Sequence, residues 1–524
     1  MLGVDVNKHL NSIADPAGGT VHLTTSVDGL LATFTDPNGN VHTMTYDDQG
    51  RLIKDADPAG GFKTLTRTDT SSGYSVAVST ALGRTTSHLV EKIPGGGERR
   101  VLTDPSGAHT ELIIGADGTR KLTSPDGTVE TSSEGPDPRW GMQAPVVTSL
   151  VRTTPGGLRE TVSGSRSATL ANPIDPMSLQ TLTDTATING RTFTSKYDGS
   201  TRTITSTSAA GRTGTTTLDV QGHVVQEQIG GLNPVTFTYD PKGRLASRTE
   251  GSGADARTTT LSYSPAGFLE TLTDPLNRVS RFSYDAAGRI VQQTLPDGQT
   301  IGSTYDANSN TVGLTPPGRP AHTFGYTSVD LLSSYSPPDL GAGATQTSYT
   351  YDPDRQLTGV TRPDGVSIGV SYDAAGRPGA LTLPRGQIGY TYSAAGQLTA
   401  VGAPGGLGLT YAYDGTLPTS ETWTGGVAGS LARSYDTDFH VTSLGVNGAN
   451  VTAQYDADSL LTQAGALALN HGTQNDLVTG STLGNLTDTW SYNGFGEPTT
   501  YSASASGSVL FTQQYTRDAL GRIV

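Results

Sequence analysis

The chain has 524 residues, and 34 Lys and Arg against 48 Asp and Glu give a net charge of −14. Gly (67) and Pro (29) are abundant, yet together they stay below the roughly 25–30% that marks low-complexity disorder. No apolar run approaches the ~20 residues of a membrane span, the acidic balance without a basic block argues against nucleic acid as a partner, and the absence of Cys removes disulfides, thiolate metal sites and Cys nucleophiles.

From the N-terminus, residues 1–20 lack a basic segment followed by an apolar one, so no signal peptide is expected. Asp15-Pro16, Asp36-Pro37 and Asp57-Pro58 then recur 21 residues apart. A second mark, Tyr followed by Asp, sits in fixed phase with the first: Asp36 precedes Tyr46 by ten residues, as Asp274 precedes Tyr284. Self-similarity at this period signals a repeat architecture. Residues 1–130 read as degenerate repeats, 131–231 as an irregular segment that includes the GPDPRWGM loop beginning at Gly135, and 232–524 as a regular block. The Tyr-Asp pairs are Tyr46-Asp47, Tyr239-Asp240, Tyr284-Asp285, Tyr305-Asp306, Tyr351-Asp352, Tyr372-Asp373, Tyr413-Asp414, Tyr435-Asp436 and Tyr455-Asp456.

Each unit reads as two short strands and two turns. An apolar residue precedes Tyr by two places (Phe237, Phe282, Trp490) and a hydroxyl residue by one (Thr238, Ser283, Ser491). Such period-2 alternation describes a strand with one apolar and one hydroxyl-rich face. Ser195, Ser303, Arg433, Ala453 and Gln513 break the apolar pattern at that place. Asp then opens a hairpin turn by bonding its own backbone, and Gly supplies the positive-φ residue before an Arg: Gly50-Arg51, Gly243-Arg244, Gly288-Arg289 and Gly376-Arg377. The Asp-Pro-x-Gly segment turns the chain into the next unit. A hairpin of this kind cannot bury its apolar face alone, so the units stack side by side into one antiparallel sheet. About 25 units and roughly 50 strands of ~4.8 Å spacing would wrap a payload in under two turns.

The residues that could carry chemistry have plainer readings. The Tyr column with its Arg neighbours would suit stacking and cation–π binding of sugar or protein; the expectation here is that Tyr packs along the sheet with its hydroxyl reaching a turn backbone or water. Asp15, Asp36, Asp57, Asp104 and Asp274 recur with the repeat, as turn residues do and catalytic pairs do not. The nine His form no zinc motif and the Gly-rich stretches no phosphate loop. No catalytic residue, cofactor or metal ligand is therefore assigned, and the chain reads as non-enzymatic.

The motifs YDPKGRL (239–245), YDAAGRI (284–290), YDAAGRP (372–378) and the phased TDPLNR (273–278) resemble the YD-repeat, or Rhs, family. The resemblance implies an all-β protein: a repetitive antiparallel hairpin sheet that spirals into a hollow shell, or cocoon. It also implies a secreted or delivered bacterial toxin system in which the shell encloses a C-terminal toxin. The expected partner is the remainder of the same polypeptide (core and toxin tail) or a passenger protein. The alternative is an extracellular adhesion or carbohydrate-binding scaffold at the cell surface. Because the pattern stops in an unfinished hairpin at Arg517–Val524, the chain reads as a partial shell.

Overall fold

The structure, a computed structural model, describes residues 1–338, 341 and 345–524. Among these residues 47 strands form one sheet, and the only helical element is the 3-10 turn Gly253–Asp255. Every ladder is antiparallel and joins consecutive strands, from Leu2–Val4 with Leu10–Ala14 through Val279–Tyr284 with Ile290–Thr294 to Pro498–Ala505 with Ser508–Gln514. The alternation in sequence becomes the two faces of this sheet. In Val279–Tyr284, Phe282 and Tyr284 are half-buried while Arg281 and Ser283 are exposed. On the exposed face, hydroxyls bridge neighbouring strands: Thr24 to Thr33 at 2.7 Å, Thr238 to Ser247 at 2.6 Å, and Ser262 to Thr271 at 2.6 Å.

One turn geometry serves both rims of the sheet. In the Tyr-Asp turn, the Asp285 N–H donates to Arg289 O at 3.0 Å and the Gly288 N–H to Asp285 O at 3.1 Å. Oδ1 of Asp285 accepts the N–H groups of Ala287 and Arg289 at 2.9 and 3.0 Å. Gly288 lies at φ 82°, where a side chain is disfavoured. The Asp-Pro turn repeats this pattern: Asp36 N–H donates to Asn40 O, Gly39 N–H to Asp36 O, and Gly39 has φ 89°. Tyrosine thus marks one rim, and the turn itself is common to both. The ladder slips by one residue between Ser283 and Tyr284, which leaves Tyr284 opposite Ile290. This β-bulge sharpens the local twist at the Tyr end of the hairpin.

The sheet coils back on itself. The loop after the fourth strand (Leu31–Thr35) meets the loop after the twenty-seventh (Thr300–Tyr305), through Asn38 and Asn308. The loop after the eighth (Gly73–Thr80) meets that after the thirty-first (Thr347–Tyr351), through Arg84 and Asp354. The loop after the eighteenth (Thr203–Thr207) meets that after the forty-first (Ala449–Tyr455), through Arg212 and Asp458. The loop after the twenty-second (Leu245–Glu250) meets that after the forty-fifth (Leu486–Tyr492), through Arg257 and Glu497. The offset is twenty-three strands each time. Arg355 also reaches Asp57, after the sixth strand (Leu52–Ala56), an offset of twenty-five. Loops of the second circuit therefore sit between loops of the first. One circuit takes about 24 strands, so the chain makes just under two. At ~4.8 Å per strand the circuit is roughly 115 Å around and ~37 Å across.

The wall is one layer thick. Its accessible surface is 28702 Å², whereas a compact monomer of 54.3 kDa exposes about 18,000 Å². Among the described residues the buried hydrophobics are Ala108 and Ala380, and no side chain is fully buried. Stability therefore comes from ladders, turns and side-chain columns along the sheet, with no central core.

Candidate functional site

The candidate residues form two systems, a tyrosine column along one rim and a seam between circuits. In the column, each Tyr hydroxyl donates to the carbonyl that opens the return strand of the preceding unit. Tyr239 bonds Val224 O at 2.7 Å, Tyr284 bonds Leu269 O at 2.8 Å and Tyr305 bonds Ile290 O at 2.8 Å. Tyr46, Tyr351, Tyr372, Tyr413, Tyr435 and Tyr455 bond Leu31, Leu332, Leu357, Leu398, Pro418 and Val441 in the same way. The ring face is covered as well. The side chain five places after one Tyr stacks on the next Tyr: Arg244 over Tyr263 at 4.2 Å, Arg289 over Tyr305 at 4.8 Å, and Arg377 over Tyr392 at 4.5 Å. Phe268 stacks on Tyr284 at 4.9 Å and His440 on Tyr455 at 4.7 Å in the same slot. His223 takes it against Tyr239 at 4.7 Å. The sequence reading placed Arg beside Tyr but missed His and Phe as equivalents; their constant spacing was the available signal. The column thus has its hydroxyls on backbone, and the rings of Tyr239, Tyr263, Tyr284, Tyr305, Tyr392 and Tyr455 lie against these neighbours as well.

The turn carboxylates are held ionised. The backbone N–H of Arg289 and its guanidinium keep the Asp285 carboxyl below the ordinary carboxylate range against partial desolvation, and Arg51 and Arg244 do the same for Asp47 and Asp240, backbone N–H first. At Asp373, burial works against ionisation but the Arg377 N–H and guanidinium outweigh it.

The seam was not visible from sequence. Asp352 accepts two N–H groups of its own turn, from Asp354 and Gln356, while Asp354 crosses to Arg84 at 2.8 Å and to the Thr80 hydroxyl at 2.7 Å. Asp306 crosses to the Asn38 amide at 3.0 Å, and Asp414 to the Thr154 hydroxyl at 2.6 Å. Asp456 pairs with Arg212 at 2.9 Å. Asp436, Asp438 and His440 bring three possible ligand atoms within 4.8 Å of one another. The Arg191 guanidinium, 2.5 Å from Asp438, supplies the positive charge there, so the triad is a node of the seam.

Asp137 of the GPDPRWGM segment caps a hairpin tip, accepting the N–H groups of Arg139 and Trp140, and pairs with Arg166 at 3.1 Å. Beside it lies an open hollow of about 1010 Å³, lined by Val162, Ala186, Phe193, Ile229 and, across the seam, Leu460. Small side chains at Gly164, Ala186 and Ser195 leave this space open.

Comparison with known proteins places this geometry. The sequence profile described as Teneurin YD-shell matches residues 2–524. Among curated proteins no sequence match is found. Two solved structures resemble the whole chain: TcdB2-TccC3 without its hypervariable C-terminal region (TM-score 0.59) and TcdB2-TccC3-TEV (TM-score 0.57), each 14% identical. The chain spans 35% of the length of each.

Proposed function

The chain belongs to the Teneurin YD-shell family, and from that premise we propose that it is a non-catalytic wall that encloses a passenger polypeptide, such as a toxin segment, in a secreted or delivered bacterial system. The observation that carries this reading is the single-layer sheet of just under two circuits, wet on both faces and bonded edge to edge. The resemblance to structures named for TcdB2-TccC3 without a hypervariable C-terminal region agrees with a wall and a variable segment being distinct parts. The passenger is the rest of the same polypeptide or a separate chain.

Size limits the form of that passenger. Subtracting one sheet thickness of ~10 Å leaves a bore of roughly 27 Å. A folded 100-residue domain, with a radius of gyration near 13 Å, measures about 34 Å across. The bore thus suits a smaller or less compact chain. A wall that need only separate two environments requires no reactive constellation. Stacked neighbours cover ring faces of tyrosines such as Tyr284 and Tyr305, which favours the enclosing reading over carbohydrate adhesion.

The test is protection. A ~100-residue passenger fused after Val524 is expected to be cleaved several-fold more slowly by protease than the same segment free. Equal rates with an intact wall would overturn the enclosing role.

A further inference from the structure

Within a circuit, every strand is tied to its neighbours by backbone ladders. Between circuits no ladder forms among the described residues. The one backbone bond that crosses is from Asn233 N–H to Gly494 O, at 2.6 Å. All other crossings involve side chains at loop tips, and they are polarised. The first circuit supplies the cations Arg84, Arg191, Arg212 and Arg257. The second supplies the acids Asp352, Asp354, Asp438, Asp456, Asp458 and Glu497. Arg355 with Asp57 runs the other way. The driest of these pairs are drier than any within a single Tyr-Asp turn: Arg84 and Asp354 are 12% and 6% exposed, against 20% and 20% for Arg289 and Asp285. Charges withdrawn from water are costly unless paired, so each cation specifies the acid that must face it.

Each crossing is built from several bonds. Asp458 accepts from Arg212 at 2.5 Å, the Ser208 hydroxyl at 2.7 Å and the Ala210 N–H at 2.7 Å. Arg212 also donates to Gly472 O and Asn475 O. Arg191 donates to Asp438, Ala457 O and Ser459 Oγ. Ser459 and Arg355 lie at φ 69° and 65°, the slot that Gly50 and Gly243 fill in turns of the free rim. At both positions the non-glycine side chain bonds the other circuit.

We propose that the seam is a charge-keyed latch: it fixes the two circuits at one offset and is the line along which the wall opens, the circuits parting while each keeps its ladders. The proposal rests on the enclosing role above, since an opening line is a release route for a passenger, but it is tested without one.

Backbone amides that donate across the seam report it directly. They are Ala210 N to Asp458, Gly156 N to Asp414, Leu82 N to Asp354 and Asn38 N to Asn308. Ladder amides of Thr203–Thr207 and Thr213–Leu218 report the sheet. In native-state hydrogen exchange of the unaltered chain, with urea raised below the unfolding range, the seam amides are expected to open in a separate, less protected class. In the triple variant Arg84→Ser, Arg191→Ser, Arg212→Ser, the amides of Leu82 and Ala210 are expected to exchange at least tenfold faster, with ladder amides within twofold of the unaltered chain. Arg51→Ser, confined to its own turn, is expected to leave both sets unchanged. Exchange of seam and ladder amides as one class in the unaltered chain would overturn the latch, and so would a triple variant that speeds both sets together or neither. Loss of protection of a fused passenger in an intact latch would instead count against the enclosing role alone.

Discussion

Tyr284 shows what one residue contributes to a wall without a core. Its hydroxyl donates to Leu269 O and its ring stacks on Phe268. Tyr284→Phe removes one hydrogen bond and is expected to cost about 1 kcal/mol. Tyr284→Ala also removes the ring between two units and is expected to cost about 3 kcal/mol; urea unfolding followed by circular dichroism measures both. Burial raises the phenol pKa of Tyr284, Tyr326, Tyr372, Tyr435 and Tyr492 above the ordinary value of 10.0. The neutral phenol is the form that donates the bond. Its stabilisation is complete below pH 10 and is lost as pH rises through the raised values. The part of the phenolate absorbance that appears above pH 10 is therefore expected to coincide with loss of the β-sheet signal. The strand-end position of Tyr was legible from its alternation with Thr and Ser. The stacking slot was only half legible, because Arg, Phe and His fill it by different physics, cation–π in one case and ring stacking in the others.

At the scale of the element, the five-residue turn carries the repeat. Gly288 lies at φ 82°, and a Cβ built there would approach the Phe268 ring to 2.6 Å. Gly288→Ala therefore combines backbone strain with a collision, and is expected to cost at least the ~1 kcal/mol of an unfavourable left-handed residue, read as a lowered urea midpoint. The turn acids set the behaviour at low pH. The folded chain holds Asp47, Asp240 and Asp285 below 3.8, chiefly through backbone N–H groups. At the seam, burial opposes ionisation of Asp458, but Ser208, Ala210 and Arg212 outweigh it; Glu497 is lowered first by Arg257. These contributions are present above the ordinary carboxylate pKa and vanish as pH falls through the lowered values. Stability is thus expected to be flat near neutrality and to fall as pH drops below about 4, tracked by fluorescence of Trp423 and Trp490. The turns could be read from Asp, Pro and Gly because their bonds span four residues. The seam could not: its acids Asp354, Asp438 and Asp458 each lie three places after a repeat Tyr, but their partners, as far apart as Arg212 and Asp458, are set by the length of a circuit.

For the whole molecule, the repeat gave strand count and winding, since about 50 expected strands compare with 47 among the described residues. What it left open was the circumference, which depends on side chains meeting a circuit later. With only neighbour ladders and one seam, the chain is not expected to unfold as one cooperative unit. Repeat arrays lose stability by segments, so urea midpoints reported from Tyr74 near one end and Tyr501 near the other are expected to differ. Identical midpoints would show that the seam couples the full length.

The interleaving of loops has a geometrical consequence for related walls. A loop of one circuit occupies the notch between two loops of the other, as gear teeth do, and the offsets of twenty-three and twenty-five strands are both odd. Adding one strand would set like turns against like; adding a hairpin restores the match one tooth along. The girth of such a wall is therefore quantised. It can grow or shrink only in steps of two strands, ~10 Å of circumference and about 3 Å of bore, so the space inside is chosen from a short series of sizes.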